Sequence, residues 1–489
     1  MLCCTRDRLR SSPLASNAPT GERAPKTLRK ELRLTARLGV PLAVGELGWM
    51  STYLVDALMV GRLPHSALSI SASSLGNTIF YTVAFIAIGM LTGIETLVAQ
   101  SFGRGSEQDR EDCARTLAQS MWFVAIGTPL VMLASLAFAA QLPRFGVSAE
   151  ISGEAMRYLR ALVWSAPPLL LYMALRRYLQ SINRVLLVSV SLVTGALVNL
   201  AGDWAFLFGH FGFRPMGIAG SGWATVVVRC YMLSLVLLAV VLSERQAELR
   251  LRWQYLRPEW KRLRAMAKIG WPPALQYVTD LGFSTWMSIV CARLGTTLLA
   301  AHQVVLDLDA FVYMVPMGLS WATVVRVGQS AGQGSLQGAG RSAKASLLLA
   351  AGYVAIAGSL FAGLPKVWGN LYTNDAAVVA AAAPVFLICA FNQLGDAMSV
   401  IFSSALTGVG ETRIQFYANT LIYWLIGAPL SYSLAFHSSL SLRGLWMGRA
   451  LSALLTAAFL GGVWYSRLRS AEGRAPSERL QFLQPLRLG

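Results

Sequence analysis

The sequence predicts an all-α integral membrane protein with twelve transmembrane helices in two pseudo-symmetric six-helix lobes. Three observations predict it. Charged residues make up 13% of the 489 positions and apolar residues 55%, whereas soluble domains carry about 25% charge. Apolar stretches long enough to span a bilayer recur along the whole chain. A motif in the first half also returns in the second at a fixed offset.

Crossing about 30 Å of hydrocarbon takes about 20 apolar residues as helix. Twelve stretches qualify, near 38–60, 71–98, 116–140, 159–175, 185–208, 217–243, 269–292, 298–327, 345–365, 376–408, 414–436 and 444–466. Helix is the expected form, because a helix satisfies its own backbone groups in lipid, and the alternating pattern of a membrane barrel is absent. The expected order is a basic tail (1–37), an N-lobe of spans one to six (38–243), a basic linker (244–268), a C-lobe of spans seven to twelve (269–466) and a second tail (467–489).

Lys and Arg outnumber Asp and Glu by 42 to 24, a net charge of +18. The excess gathers in the first tail, in the linker from Arg245 to Lys268, and in the tail after Arg467. By the positive-inside rule this places both termini in the cytoplasm of a plasma membrane, the bacterial inner membrane being the expected location. The charge then reads as topology and contact with anionic lipid, not nucleic-acid binding. Six cysteines and four histidines show no ligand spacing, so no metal-dependent membrane enzyme and no resident cofactor is expected.

The internal repeat organises the chain. Gly89-Met90 through Gln100-Ser-Phe-Gly103-Arg-Gly-Ser106 is matched by Gly318-Leu319 through Gln329-Ser-Ala-Gly332-Gln-Gly-Ser335, every pair offset by 229. Two six-helix halves in the same orientation follow. Parallel halves facing a central cavity, each rocking against the other, are a transporter device.

Acids inside apolar spans cost about 2.5–3.5 kcal/mol each on the insertion scale, so each needs a partner, a proton or a use. Asp56, Asp203, Asp280, Asp307, Asp309 and Asp396 all lie in spans; Glu46 and Glu95 do too, Glu95 near an inner end where water is expected. Asn199-x-x-x-Asp203 and Asn392-x-x-x-Asp396 each put an amide and a carboxyl on one helix face. We therefore expect one oxygen cluster per half. Asp56, Asn199 and Asp203, with Thr225 as a further oxygen, form the N-lobe cluster, with Na+ as a fitting ion for the first three. Asp280, Asn392 and Asp396 form the C-lobe cluster for ion or substrate. Asp307 and Asp309 are assigned only a lining role.

A pair of buried carboxylates relieves its repulsion by sharing a proton, binding a hard cation or binding a cationic ligand. Those outcomes compete, and competition is the working principle of an antiporter. The structural alternative is neutralisation, with Arg229 serving the first cluster and Arg449 the second. Trp286, Met287, Met314 and Met317 suit an adaptable pocket. Prolines at 41, 167–168, 272–273, 316, 384 and 429 fall inside the predicted spans and mark candidate kinks.

Five segments carry a family resemblance: Val55-Asp56-Ala-Leu-Met-Val-Gly61, Glu95-Thr-Leu97 leading into Gln100-x-x-Gly103, Ala300-Ala-His-Gln303, Ala322-Thr-Val-Val-Arg-Val-Gly-Gln329, and the stretch from Asp396 to Leu406-Thr-Gly-Val-Gly-Glu-Thr412. Over nearly all of 38–466 the chain resembles the multidrug and toxic compound extrusion transporters. The resemblance implies export of amphipathic organic cations in exchange for Na+ or H+, with functional positions at Asp56, Asn199, Asp203 and Thr225 and at Asp280 and Asp396. Asp280 stands where glutamate is common in such proteins, Asn392 where tyrosine is common, and an aspartate at 203 is typical of another branch. A lipid-linked oligosaccharide flippase of the same superfamily is the competing reading, and a monomer working with membrane lipid is expected.

Overall fold

The computed structural model describes residues 27–63, 66–245 and 252–472, and no strand occurs among them. The outer parts of both expected tails and residues 246–251 of the linker lie outside these ranges.

The first half comprises α1 (Leu28–Val60), α2 (Ser66–Met90), α3 (Thr92–Arg104), α4 (Glu107–Gln141), α5 (Ala149–Leu162), α6 (Ala166–Ser181), α7 (Leu186–Phe208) and α8 (Ile218–Arg245). The second comprises α9 (Trp260–Ala292), α10 (Thr296–Gly332), α11 (Leu336–Gly363), the short α12 (Pro365–Tyr372), α13 (Ala376–Gly408), α14 (Thr412–Leu421), a π-helical stretch (Ile422–Gly427), α15 (Ala428–Phe436) and α16 (Leu442–Glu472). Each predicted span falls on helix, in the two-lobe, twelve-helix layout. Nine helical segments among the described residues are long and apolar enough to cross a membrane on length and composition alone. Polar residues interrupt the others, as Glu46, Ser51, Thr52 and Asp56 do in α1.

Three spans are less regular than expected. The second breaks at Leu91 between α2 and α3, and the fourth is two helices joined by a 3-10 turn. Pro167 and Pro168 therefore open α6 rather than kink a helix, in the first turn where their missing N–H groups would have had no partner. The eleventh passes through the π stretch just before Pro429. Helix α1 also begins at Leu28, ten residues before the apolar stretch.

The duplication is visible in the caps. Ser106 Oγ accepts from the Asp109 N–H (3.1 Å) at the start of α4, and Ser335 Oγ accepts from the Gly338 N–H (3.0 Å) at the start of α11. Such caps satisfy a free N–H of the first turn.

The lobes meet at the end of the bundle where α1 begins and α3 and α10 finish. There the repeated Gln-x-x-Gly segments clasp one another reciprocally. A Cβ on Gly103 would overlap the carbonyl of Gln329, and one on Gly332 would overlap the carbonyl of Gln100. Gln100 Nε2 donates to the Gly408 carbonyl (2.9 Å) and Gln329 Nε2 to the Ser181 carbonyl (2.9 Å), each reaching into the other lobe. Glu31 of α1 accepts from Arg326 Nε and Nη2 (3.0 and 2.9 Å) and from Ser342 Oγ (2.7 Å). Trp321 Nε1 donates to Glu46 Oε1 (3.1 Å), and Arg176 pairs with the same carboxylate.

Helix α9 straddles both lobes. Its first turns pack with the first half: Arg262 bonds Asp112 Oδ1 (3.0 Å) and Thr116 Oγ1 (2.9 Å) of α4, and Ala265, Met266 and Ile269 join the N-lobe core. Its later turns, with Phe283, Met287, Val290 and Cys291, join a C-lobe core. Pro272 and Pro273 lie between the two parts. Proline at 273 cannot donate to the Ile269 carbonyl, and Thr412 Oγ1 fills that place at 2.8 Å. The linker ahead of α9 is fastened to α4 by Gln119. Its Nε2 donates to the Tyr255 and Arg257 carbonyls (2.6 and 2.7 Å), while its Oε1 accepts from the Glu259 N–H (2.9 Å).

Candidate cation sites in the two lobes

In the first half, α1 and α7 bring three expected residues together. Asn199 Nδ2 donates to Asp56 Oδ1 at 2.8 Å, and the Asp56 and Asp203 carboxyls approach closely enough to hydrogen bond when one holds a proton. Asp56 is half-buried, whereas Asn199 and Asp203 are fully buried. The four-residue spacing on α7 explains the pairing, since it sets amide and acid one turn apart on the side facing α1.

No donor from a described residue reaches either oxygen of Asp203, nor Asn199 Oδ1. Buried polar atoms normally have partners, and an exception asks for a reason. Arg229 does not supply one. Its guanidinium donates to Ser165 Oγ and to Tyr81 OH (2.9 Å) and lies over the rings of Phe80 (5.0 Å) and Tyr81 (5.5 Å). Among the described residues no ion pair joins it to Asp56 or Asp203. Thr225 is buried on α8, and its hydroxyl donates back to the Ser221 carbonyl (3.1 Å), leaving its lone pairs to accept or coordinate. The result is a cluster of buried oxygens on Asp203 and Asn199 beside Asp56, with no ion pair to it among the described residues.

The C-lobe differs. Asn392 Nδ2 donates to Asp396 Oδ2 (2.9 Å), as the spacing predicts, and more distantly to Asp309 Oδ1 (3.4 Å). Asp309 joins this cluster, and no hydrogen bond among the described residues links Asp280 to it. Asp307 and Asp309 are two positions apart, so the two acids point differently; Asp309 turns into the lobe, while Asp307 accepts from Gln303 Nε2 (2.7 Å) and Tyr372 OH (2.6 Å). Asp280 lies on the exposed side of α9, one turn from Tyr277, which stacks on Phe85 of α2 at 5.3 Å across the lobe boundary. It lies near enough to the C-lobe cluster for the charges of Asp396 and Arg449 to act on it.

Arg449 neutralises the C-lobe acids. Its Nη2 lies 3.1 Å from Asp309 Oδ2 and 3.3 Å from Asp396 Oδ2. Tyr423 OH donates to Asp396 Oδ1 (2.9 Å) from the π-helical stretch, and Gln393 Nε2 (2.8 Å) and Cys389 Sγ (3.0 Å) donate to Asp309 Oδ1. All four carboxylate oxygens have donors. Sequence reasoning gave Asp309 no part here and missed Tyr423 and Gln393. A buried acid and a buried arginine in neighbouring apolar spans were the available signal.

Two further expectations need correction. Glu95 is not wet: it is fully buried and its Oε2 accepts from Arg177 Nη1 at 2.9 Å, because α6 packs against that turn of α3, Ser181 Oγ donating to the Glu95 carbonyl (3.2 Å). Met287 is fully buried in the C-lobe core.

The MatE family profile matches residues 41–205 and 272–433, one segment in each half. The chain is 31% identical over 460 residues to a probable multidrug resistance protein NorM of Rhizobium meliloti, covering 91% of this chain and 95% of that relative. It is 30% identical over 431 residues to the multidrug resistance protein PmpM of Pseudomonas aeruginosa, covering 86% and 88%. Among solved structures, a MATE protein in complex with MaL6 superposes with a TM-score of 0.83 at 16% identity, covering 92% of this chain and all of that one. The eukaryotic MATE transporter AtDTX14 superposes at 0.80 and 18%, covering 94% and 99%.

Proposed function

The chain belongs to the MatE family of multidrug and toxic compound extrusion transporters, and from that premise we propose that it exports amphipathic organic cations in exchange for Na+ or H+ by alternating access. It is a transporter and not an enzyme. The observation that carries the ion-exchange reading is the Asp56–Asp203 pair: two buried oxygens without donors, on an acid pressed against a second acid.

Asp56 is half-buried and Asp203 fully buried, so on this reading an ion entering by Asp56 has a second carboxylate to receive it, with Asn199 and Thr225 as neutral oxygens. Binding there favours the lobe arrangement in which the organic cation is released, and loss of the ion on the other side resets the site. Carboxylates at Asp280 and Asp307 give the facing surfaces negative charge suited to a cationic cargo and repel an anionic lipid-linked sugar. The basic tails and linker favour an inner-membrane location with both termini cytoplasmic. On that orientation the clasped end is the cytoplasmic one, and the arrangement described is closed to the cell interior. Interhelical packing in lipid and anionic headgroups at the basic linker are the only further partners the reading requires, and a monomer suffices.

The test is ethidium efflux from proteoliposomes under sodium and proton gradients imposed separately. One of the two is expected to drive uphill efflux, and Asp56→Asn to abolish that drive. Efflux indifferent to both gradients, or intact in Asp56→Asn, overturns the reading.

A further inference from the structure

The two lobes carry the same local device with opposite occupancy. In each, an Asn-x-x-x-Asp turn presents its amide to an acid from another helix, Asn199 to Asp56 and Asn392 to Asp309, Asn392 also donating to Asp396 of its own turn. In the N-lobe no cationic side chain among the described residues pairs with the acids, Arg229 bonding Ser165 and Tyr81 instead. In the C-lobe a guanidinium sits between the carboxylates.

We propose that Arg449 is a tethered cation that permanently fills the C-lobe acid pair, so that each transport cycle is coupled to one ion, held in the N-lobe. The proposal rests on the antiport reading above and adds the stoichiometry. Arginine suits this role because it does not lose its proton in proteins, so the occupant neither titrates nor leaves. It is also fixed in place. The guanidinium lies 5.1 Å over the ring of Trp446, a fully buried side chain whose Nε1 donates to His302 Nδ1 at 3.1 Å. A donor at Nδ1 leaves the His302 proton on Nε2, which faces Ser288 Oγ at 3.3 Å. The ring that carries Arg449 is thereby locked in a neutral hydrogen-bonded chain. With the arginine removed, Asp309 and Asp396 become an uncompensated acid pair of the Asp56–Asp203 kind.

Charge movement tests this directly. Exchange of one ethidium for one monovalent ion moves no net charge, so wild-type efflux should be indifferent to a membrane potential set by potassium and valinomycin. Arg449→Gln should admit a second ion, and its steady-state ethidium gradient should then change by about fiftyfold for an imposed potential of about 100 mV. Arg449→Lys, which keeps the charge, should leave whatever efflux it supports independent of potential. A purely structural role for Arg449 would lower activity without creating potential dependence.

Should Arg449→Gln fold but not transport, cation binding to the detergent-solubilised protein decides, by radioactive sodium for Na+ and by the pH change of a weakly buffered solution for protons. One ion per chain in the wild type and two in Arg449→Gln support the proposal. Wild-type efflux already driven by potential, or an Arg449→Gln protein that stays electroneutral and binds no additional cation, overturns it. Efflux independent of every ion gradient would instead defeat the antiport reading, and the binding count would still stand.

Discussion

Asp203→Asn separates a functional acid from a structural one, because the two roles predict opposite effects on stability. Asp203 is fully buried and its oxygens receive no donor. At a separation of about 4 Å and an effective dielectric of about 20, one carboxylate attracts a monovalent cation by about 4 kcal/mol. Losing it weakens ion binding by about a thousandfold, less whatever the amide oxygen returns as a neutral ligand. The apo protein, by contrast, should gain. The substitution removes a desolvated carboxylate from beside Asp56 and supplies an NH2 group next to Asn199 Oδ1, which also lacks a donor. Relief of unsatisfied burial is worth about 1–3 kcal/mol. The assays are ion-concentration dependence of ethidium efflux and thermal unfolding in ion-free detergent. A shifted ion dependence with a raised melting temperature is expected. An unchanged ion dependence together with a lowered melting temperature would show that Asp203 holds the lobe together, and the coupling argument would fail with it.

Further predictions concern the frame around the site. Arg326→Met leaves Glu31 buried beside Ser342 alone and should destabilise the clasped state by about 3–5 kcal/mol, read as increased distances between spin labels on the two lobes at that end. Gly332→Ala places a methyl group against the Gln100 carbonyl; the lobes should fold, yet the same labels should report that the clasp no longer closes and transport should be lost. Gln119→Ala leaves two carbonyls and an N–H of the linker without their side-chain partner, and should cost about 1–3 kcal/mol for each group that water fails to reach, measured by thermal unfolding.

The N-lobe site was legible because everything needed to find it is local or costly: a four-residue spacing on one helix and acids in apolar spans that demand an explanation. The C-lobe site was read incompletely, without Asp309, for a physical reason. Asp280, Asp307 and Asp309 are equally improbable in lipid, and only the packing of α10 against α13 and α16 decides that Asp309 turns inward to Arg449. The repeated Gln-x-x-Gly segments announced the duplication but not the reciprocal clasp, since a motif's likeness to its copy does not say that the two copies touch. Glu95 and Glu31 were similarly opaque, their partners lying far along the chain.

The double allegiance of α9 has a mechanical consequence. Its entry is moored to α4 through Arg262 and the Gln119 fastening, and its exit is embedded among the helices of the second half. No movement of one half past the other can leave this rod straight. Pro272 and Pro273 lie where it must flex, and Thr412, which accompanies the second half, already bonds the carbonyl that the prolines release. A rod anchored at both ends and interrupted at one point would act as an axle built into the frame, favouring a swing about that point over a sideways slide that would open both mouths at once.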